Sequence, residues 1–273
     1  MTVKTALHQG SILLEEGNVL APRLTAEVLL SHALQKERIY LFTHPEAELG
    51  QIAWIHFGRY LHERLKGKPT QYITKRQEFY GRDFAVSPEV LIPRPETELL
   101  VEAALRLEGR IVDVGTGSGA IAVTLSLEKQ QRILATDISA PALKIAVANA
   151  RALGAGVDFL QGDLLSAVAS RSVDAVVSNP PYISESDRAG MQLEVRDFEP
   201  QLALFAGPLG SEIYRQLIED ATRVLKPGGH LLLELGYDSL EAVRALLDEP
   251  WMEIAVVNDL AGIPRVLTAR FLA

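Results

Sequence analysis

The chain of 273 residues is predicted to fold as a doubly wound α/β protein that follows a small bundle of helices. Beyond residue 110, short apolar runs alternate with amphipathic stretches, as the strands and helices of a parallel sheet do. Before residue 70, the apolar residues recur at helical spacing instead. Ligands of doubly wound folds bind at the carboxyl ends of the strands, so we expect the functional residues at that edge of the sheet.

The amino-terminal segment, residues 1–70, is predicted to be a helical domain. Residues 3–16 end at Gly17-Asn18, which is a good helix stop, and residues 24–35 carry a broad apolar face. Residues 51–66 show a third helical pattern that ends before a glycine. Because the apolar faces should form the core of a small bundle, its surface is the part left to recognise a partner.

Residues 71–90 are predicted to form a β-hairpin that links this bundle to a second domain over residues 91–273. The hairpin segment alternates in polarity around Tyr80-Gly81. In the second domain, strands and helices are expected to alternate. The strands should lie near residues 110–114, 132–136, 156–160, 173–178 and 229–235, and the helices near residues 95–107, 118–128, 140–152, 211–225 and 238–248.

A glycine-rich motif follows the first of these strands and opens the next helix. After Asp113 and Val114 it consists of Gly115, Thr116, Gly117, Ser118 and Gly119. Glycines let a backbone approach a bulky ligand closely, and a helix N-terminus presents N–H donors. The same spacing satisfies a dinucleotide-binding fingerprint, and a plain turn between a strand and a helix is the bland alternative. The motif alone therefore predicts a nucleoside site without identifying the ligand.

Two carboxylates follow the next two strands at the same sheet edge. Asp137 lies at the distance from the glycines that is expected of an acid binding ribose hydroxyls. Asp163 follows the third strand, where carboxylates meet an adenine amino group, and the apolar Leu164 would lie against the ring. A turn-forming aspartate is the alternative interpretation of Asp163.

Asn179-Pro180-Pro181-Tyr182 directly follows the fourth strand. The side-chain oxygen of Asn179 and the carbonyl of Pro180 can accept hydrogen bonds from a planar amino group, and Tyr182 can pack behind it. Pro180 and Pro181 restrict the backbone so that both acceptors point one way. Asn-Pro is also a common turn opener. A dinucleotide dehydrogenase has no need of this motif, however. An enzyme that methylates a planar nitrogen does need such a pair of acceptors.

The last two apolar runs indicate how the sheet ends. Residues 251–258 and 265–272 are separated by too few residues for a helix, so we expect the two strands to be antiparallel. That ending is typical of the Rossmann-like, seven-stranded sheet of class I S-adenosylmethionine-dependent methyltransferases. A dinucleotide-binding fold would not need it.

About the last 200 residues carry a series of segments that together resemble one family. They are Phe79–Phe84, Val90–Glu98, Asp113–Gly119, Asp137, Asn179–Tyr182, Glu194–Arg196, Phe198–Pro200, Leu204–Gly207, Lys226–Gly229, Glu234–Gly236 and Asp259–Gly262. The pattern is similar to that of the HemK/PrmC family, the glutamine N5-methyltransferases of peptide-chain release factors. Ile92–Glu98 is the specific part, because Asn-Pro-Pro-Tyr is shared with adenine-N6 and guanine-N2 nucleic-acid methyltransferases. Leu164 departs from the family, in which an aromatic residue is expected, so adenine stacking should be weaker here.

The resemblance implies the reaction, the cofactor and the partner. S-adenosylmethionine would be bound by Gly115, Thr116, Gly117, Ser118, Gly119, Asp137, Asp163, Leu164 and Asn179, and S-adenosylhomocysteine would be the product. Asn179, Pro180 and Tyr182 would be catalytic, and Pro181 would join them in binding the substrate. That substrate would be the glutamine in the Gly-Gly-Gln loop of a class I release factor. We expect a cytoplasmic monomer with no metal site.

Composition favours a protein substrate over a nucleic acid. Residues 1–80 hold ten basic and eight acidic residues, which leaves seventeen basic and twenty-seven acidic residues, or a net charge of −10, for the remainder. An enzyme that acts on duplex DNA must neutralise several phosphates, for which an acidic catalytic half is poorly suited. The chain has no cysteine and no apolar run long enough to span a bilayer, and because its first residues lack an apolar core we expect no secretion signal.

Two rival functions stay open at this point. A methyltransferase acting on the exocyclic amine of adenine or guanine in a nucleic acid would use the same Asn-Pro-Pro-Tyr motif, so only acidity and the lack of a basic target domain weigh against it. A non-catalytic nucleoside-binding partner protein is the rival from another class. An intact Asn179 motif disfavours that second rival.

Overall fold

The computed structural model describes residues 1–273 and divides into two compact units. The first comprises residues 1–76 and 192–198, and the second comprises residues 77–191 and 199–273. The chain thus leaves the second unit after Met191, contributes one short helix to the first unit, and returns at Glu199.

Five consecutive helices build the first unit. They are α1 (Val3–Glu16), α2 (Pro22–Leu34), α3 (Arg38–Thr43), α4 (Gln51–Leu65) and α5 (Thr70–Thr74). The Thr2 hydroxyl caps α1 by accepting the N–H of Thr5, and α1, α2 and α4 contribute Leu7, Leu29 and Phe57 to one apolar core. The three predicted helices are confirmed. The other two are too short for a helical period to show in the sequence.

The predicted hairpin is present but shorter than the 71–90 segment assigned to it. Tyr80 and Gly81 form its turn with φ values of 52° and 71°, which suits a two-residue hairpin loop. The start of the segment is helical instead, because α5 continues to Thr74 and Lys75 ends it in the left-handed conformation. The two strands are β1 (Arg76–Phe79) and β2 (Arg82–Ala85).

The second unit contains nine further strands. They are β3 (Ile111–Val114), β4 (Ile133–Asp137), β5 (Val157–Gln161), β6 (Val173–Ser178), β7 (Ile183–Ser184), β8 (Phe205–Gly207), β9 (Leu225–Glu234), β10 (Trp251–Asn258) and β11 (Pro264–Phe271). Seven of them form one sheet in the order β10-β11-β9-β6-β3-β4-β5, and β7 pairs with β8. Five neighbouring strands, β9, β6, β3, β4 and β5, are parallel, and β11 runs antiparallel to both β9 and β10. The predicted sheet and its antiparallel ending are confirmed.

Helices cover both faces of this sheet. They are α6 (Thr97–Leu105), α7 (Ala120–Lys129), α8 (Ala140–Leu153), α10 (Glu212–Val224) and α11 (Leu240–Arg244), while α9 (Leu193–Phe198) is the helix given to the first unit. Neighbouring residues Val176 and Val177 of β6 belong to different apolar clusters, as alternate side chains of a strand buried on both faces must. No helix of the chain combines the length and the apolar character needed to cross a membrane.

Two segments differ from the sequence-based expectation. The helix expected over 238–248 is α11 alone, because the chain continues in short-range turns in which Leu246 and Leu247 donate to carbonyls three residues back. Between β6 and α10 the sequence predicts no regular structure, yet the structure has β7, β8, α9 and two short 3₁₀ turns there. These pieces are too short for a period to be visible.

Candidate active site

The glycine-rich loop leaves open space above its backbone. Gly115 and Gly117 have φ values of 71° and 54°, and a Cβ built on Gly115 would meet no atom within 4 Å. A Cβ on Gly117 would meet only the Gly115 carbonyl, at 4.0 Å. Gly119 differs, since its Cβ would lie 3.1 Å from the Cβ of Ala146 on α8. The first two glycines therefore admit a ligand, and the third lets two helices pack.

Asp113 fixes the conformation of this loop through hydrogen bonds. Its Oδ2 accepts the Thr116 hydroxyl at 2.6 Å and the Ala122 N–H at 3.2 Å, so one carboxylate joins the loop to the first turn of α7. Complete burial raises the pKa of Asp113 to about 7. Thr116 and Ser118 are both buried within the loop, and the Thr116 hydroxyl is already donated to Asp113.

Asp137, at the end of β4, joins the glycine loop to the neighbouring turn. Its Oδ2 accepts the N–H of Gly117 at 2.8 Å, and its Oδ1 accepts the N–H of Ser139 at 2.8 Å. Burial raises the pKa of Asp137, although the hydrogen bonds from these backbone amides oppose the rise. The carboxylate thus lies in a fixed orientation between two loops, with lone pairs left to accept hydroxyl groups.

Asp163 and Leu164 follow β5 on the same side. Asp163 is exposed, whereas Leu164 is half-buried with a φ of 46°, and its carbonyl accepts the Thr136 hydroxyl at 2.9 Å. Ile138, which directly follows Asp137, adds a second aliphatic side chain to the same wall. This wall is aliphatic, as the leucine at an expected aromatic position predicts.

The Asn179-Pro180-Pro181-Tyr182 segment leaves β6 at the centre of the sheet. The Nδ2 of Asn179 donates to the Oγ1 of Thr97, the first residue of α6, at 3.2 Å. Pro180 is buried, and Tyr182 packs so tightly on Gly236 that a Cβ there would lie 2.6 Å from its ring. Burial also raises the pKa of the Tyr182 phenol.

One cavity of about 350 Å³ brings most of these residues together. Its wall includes Gly115, Gly117, Asp137, Asp163, Leu164, Asn179 and Pro181, together with Leu91, Ile138, Leu202 and Ile213, which sequence reasoning did not single out. The cavity lies outside the carboxyl ends of the parallel strands, where doubly wound folds bind ligands. Thr116, Ser118, Gly119, Pro180 and Tyr182 are not part of its wall.

Sequence reasoning also missed a group of polar residues behind Asn179. Thr97 and Glu234 are both buried, and Arg94 forms an ion pair with the buried Glu199 at 2.6 Å. These residues lie in segments that the family resemblance marks, which was the only signal for them. No group of three or more histidine or acidic side chains is arranged to hold a metal ion.

Replacing Gly236 with alanine is expected to reduce the activity of this site without unfolding the protein. The added Cβ would overlap the Tyr182 ring at 2.6 Å, so the ring must shift. Overpacking of this kind costs about 1–3 kcal/mol of stability. We expect a lower kcat with almost unchanged cofactor affinity. Gly58→Ala is the matched control, because a Cβ on that glycine of α4 meets nothing within 4 Å. Equal kcat values for the two variants would contradict a role for Tyr182.

Family models match both units of the chain. Residues 5–74 match the PrmC N-terminal domain, and residues 95–195 match the methyltransferase small domain. Among solved structures, a methyltransferase from Pyrococcus furiosus covers 78% of this chain and 98% of its own with a TM-score of 0.55 at 19% identity. A Thermus thermophilus 16S rRNA N2 G1207 methyltransferase in complex with AdoMet and guanosine covers 72% of this chain and 49% of its own, with a TM-score of 0.52 at 16% identity. At such identities these two likenesses show the fold alone.

Curated relatives are far more similar. The release factor glutamine methyltransferase of Koribacter versatilis is 47% identical, over 99% of this chain and 99% of its own. That of Moorella thermoacetica is 46% identical over 98% of each chain, and that of Bacillus cereus is 38% identical over 98% of this chain and 99% of its own. Identity at this level extends through both units, including the amino-terminal helices. The chain therefore belongs to the HemK/PrmC family of release factor glutamine methyltransferases.

Proposed function

We propose that this chain transfers a methyl group from S-adenosylmethionine to the side-chain amide nitrogen, N5, of the glutamine in the Gly-Gly-Gln loop of class I peptide-chain release factors. The observation that carries the proposal is that Gly115, Gly117, Asp137 and Asn179 line one cavity. Residues suited to a nucleoside cofactor thus lie beside a residue suited to a planar amide. The family membership supplies the substrate class.

The residues of the cavity fit S-adenosylmethionine. The open space over Gly115 and Gly117 admits a bulky ligand, Asp137 can accept the ribose hydroxyls, and Ile138 and Leu164 offer an apolar surface to an adenine ring. When bound, S-adenosylmethionine supplies an electrophilic methyl group, and S-adenosylhomocysteine is left as the product. Asp163 lies at the exposed side of the same cavity, where it can meet the adenine amino group.

The protein's own part in the reaction is to hold a poor nucleophile. The lone pair of an amide nitrogen is delocalised into its carbonyl, so alignment should carry most of the catalysis. The Asn179 side-chain oxygen and the Pro180 carbonyl would accept the two amide hydrogens and direct the lone pair, while Tyr182 limits the space behind. The same acceptors would stabilise the positive charge that develops on the nitrogen. Its proton can leave after transfer, so no strong base is needed.

The helical unit is the part that we propose for recognition of the release factor. Ile39 and Phe42 on α3, and Ile52 and Ile55 on α4, are all more than half exposed, and grouped exposed apolar side chains are a feature of protein-binding surfaces. We also propose that the protein is a cytoplasmic monomer. Its substrate is a protein and not a nucleic acid, because the part of the chain after residue 80 is strongly acidic. We propose no association with a membrane.

Peptide mapping tests the reaction and the target together. The purified chain, S-adenosylmethionine and a class I release factor should give one methyl group on the glutamine of the Gly-Gly-Gln loop. A release factor with alanine in place of that glutamine is the matched control and should gain none. Transfer of labelled methyl to RNA or DNA, with none to the release factor, would keep the active site and overturn the proposed substrate.

A further inference from the structure

The proposed mechanism leaves one buried carboxyl group without a role. Glu234 lies at the end of β9 with 4% of its surface exposed, and its Oε2 has no hydrogen-bond partner. Isolating a charge in this way costs free energy, so such a group is seldom kept for packing alone. It shares one neighbour, Thr97, with Asn179.

Thr97 connects the two groups. Its Oγ1 accepts the Nδ2 of Asn179 at 3.2 Å, and its hydroxyl lies close enough to the carboxyl group of Glu234 to lower the pKa of that acid. A threonine hydroxyl has one proton to donate. An ionised carboxylate can only accept, so it draws the proton of the neighbouring Thr97 hydroxyl, and Thr97 is left to accept from Asn179. The NH2 group of Asn179 therefore faces Thr97, and its Oδ1 faces the other way.

We propose that Thr97 and Glu234 are positioning residues that fix the orientation of the Asn179 side-chain amide, so that its oxygen is presented to the substrate amide. The inference rests on the proposed function for its catalytic consequence. Its structural content, the orientation of one amide, is independent of the substrate. Without Thr97 and Glu234 the Asn179 side-chain amide could rotate by 180°. Its NH2 group would then face the NH2 group of the substrate, and two donors repel each other.

Protonation of Glu234 would release this constraint. Burial raises the pKa of Glu234 to about 7, and the neighbouring Thr97 hydroxyl opposes the rise. Above that pH the carboxylate takes the Thr97 proton. Below it the acid can itself donate to Thr97, which frees the threonine proton for the Asn179 oxygen in the reversed orientation. Turnover should therefore fall as the pH drops through this pKa.

The charges around Glu234 come from several segments. Glu96, just before α6, raises its pKa, whereas Arg265 of β11 and Arg94 lower it. Both arginines are paired, Arg94 with Glu199 at 2.6 Å and Arg265 with Asp259 at 2.9 Å, so neither neutralises Glu234 alone. Two phenols also face this region: Tyr182 lies nearby, and the Tyr214 hydroxyl of α10 donates to the backbone carbonyl of Glu234 at 2.7 Å.

Three variants test the proposal kinetically. Thr97→Val keeps the shape and deletes the hydroxyl, so kcat should fall about tenfold, the loss expected for one hydrogen bond. Thr97→Ser restores the hydroxyl and should recover most of that loss. Glu234→Gln should remove the fall in kcat that we expect of the wild type from about pH 8.5 to about pH 6. Cofactor affinity, measured by calorimetry, should be unchanged in all three.

A second measurement does not depend on turnover. The side-chain amide resonance of Asn179, assigned by its loss in Asn179→Ala, should shift with pH near the pKa of Glu234 in the wild type. It should not shift in Glu234→Gln. The proposal would be overturned if the Asn179 resonance of the wild type did not shift with pH. It would also be overturned by a Thr97→Val variant with normal kcat and an unaltered pH profile. A wild type that shows the shift but methylates no release factor would instead overturn the proposed function.

Discussion

Asn179→Ala should lower kcat for glutamine methylation by about 100-fold or more, which is the loss expected when one preorganised polar contact to the reacting group is removed. Binding of S-adenosylmethionine should weaken far less. The reason lies in the geometry: the Asn179 amide is held by Thr97 through its nitrogen, which leaves the oxygen as an acceptor in the cavity. Alanine retains the backbone of the segment and removes the whole side-chain amide, both that acceptor and the Nδ2 group that Thr97 holds.

Single-turnover kinetics with saturating cofactor are the appropriate measurement, because they separate the chemical step from product release. Calorimetry with S-adenosylmethionine on the same preparation controls for folding and for the cavity. Thr97→Val is the informative comparison, since it keeps the Asn179 oxygen but loosens its orientation, and should therefore lose less than Asn179→Ala. An Asn179→Ala variant with nearly normal turnover would remove the catalytic assignment of this residue.

What the sequence predicts well here is which residues the sheet brings to one edge. Gly115, Gly117, Asp137 and Asn179 each follow a recognisable strand, and parallel strands bring their carboxyl ends to one edge. The topology of the sheet follows from the same alternation of elements and from the short spacing before the last strand. Such features need no knowledge of tertiary contacts.

Roles that depend on tertiary packing could not be read in this way. Thr97 is 82 residues from Asn179 along the chain, and nothing local marks it as a partner of that amide. Thr116 has the residue type of a ligand-binding hydroxyl, yet its hydroxyl is directed to Asp113 instead. Residues 192–198 join the first unit because Glu194 pairs with Arg64 at 2.8 Å, a contact across more than a hundred residues of sequence.

Asp137→Ala should weaken binding of S-adenosylmethionine by about 1.5–3 kcal/mol, as expected for the loss of charge-assisted hydrogen bonds to the ribose. That range corresponds to a Kd about 10- to 150-fold higher. The structure gives a second reason for a large effect, because the same carboxylate holds the N–H groups of Gly117 and Ser139. Removing the carboxylate therefore releases the glycine loop and also deletes the proposed hydrogen bonds to the ribose.

Calorimetry with S-adenosylmethionine and with adenosine can separate these two contributions. Both ligands carry the ribose, but only the first carries the methionine part, which we expect to lie along the glycine loop, so loss of the ribose contact alone would weaken both equally. A freed loop would weaken S-adenosylmethionine more. Asp163→Ala is the matched control, since Asp163 lines the same cavity but is exposed and should lose less affinity. Unchanged affinity in Asp137→Ala would mean that the ribose is held elsewhere, and the cavity's assignment to the cofactor would then rest on the glycine loop alone.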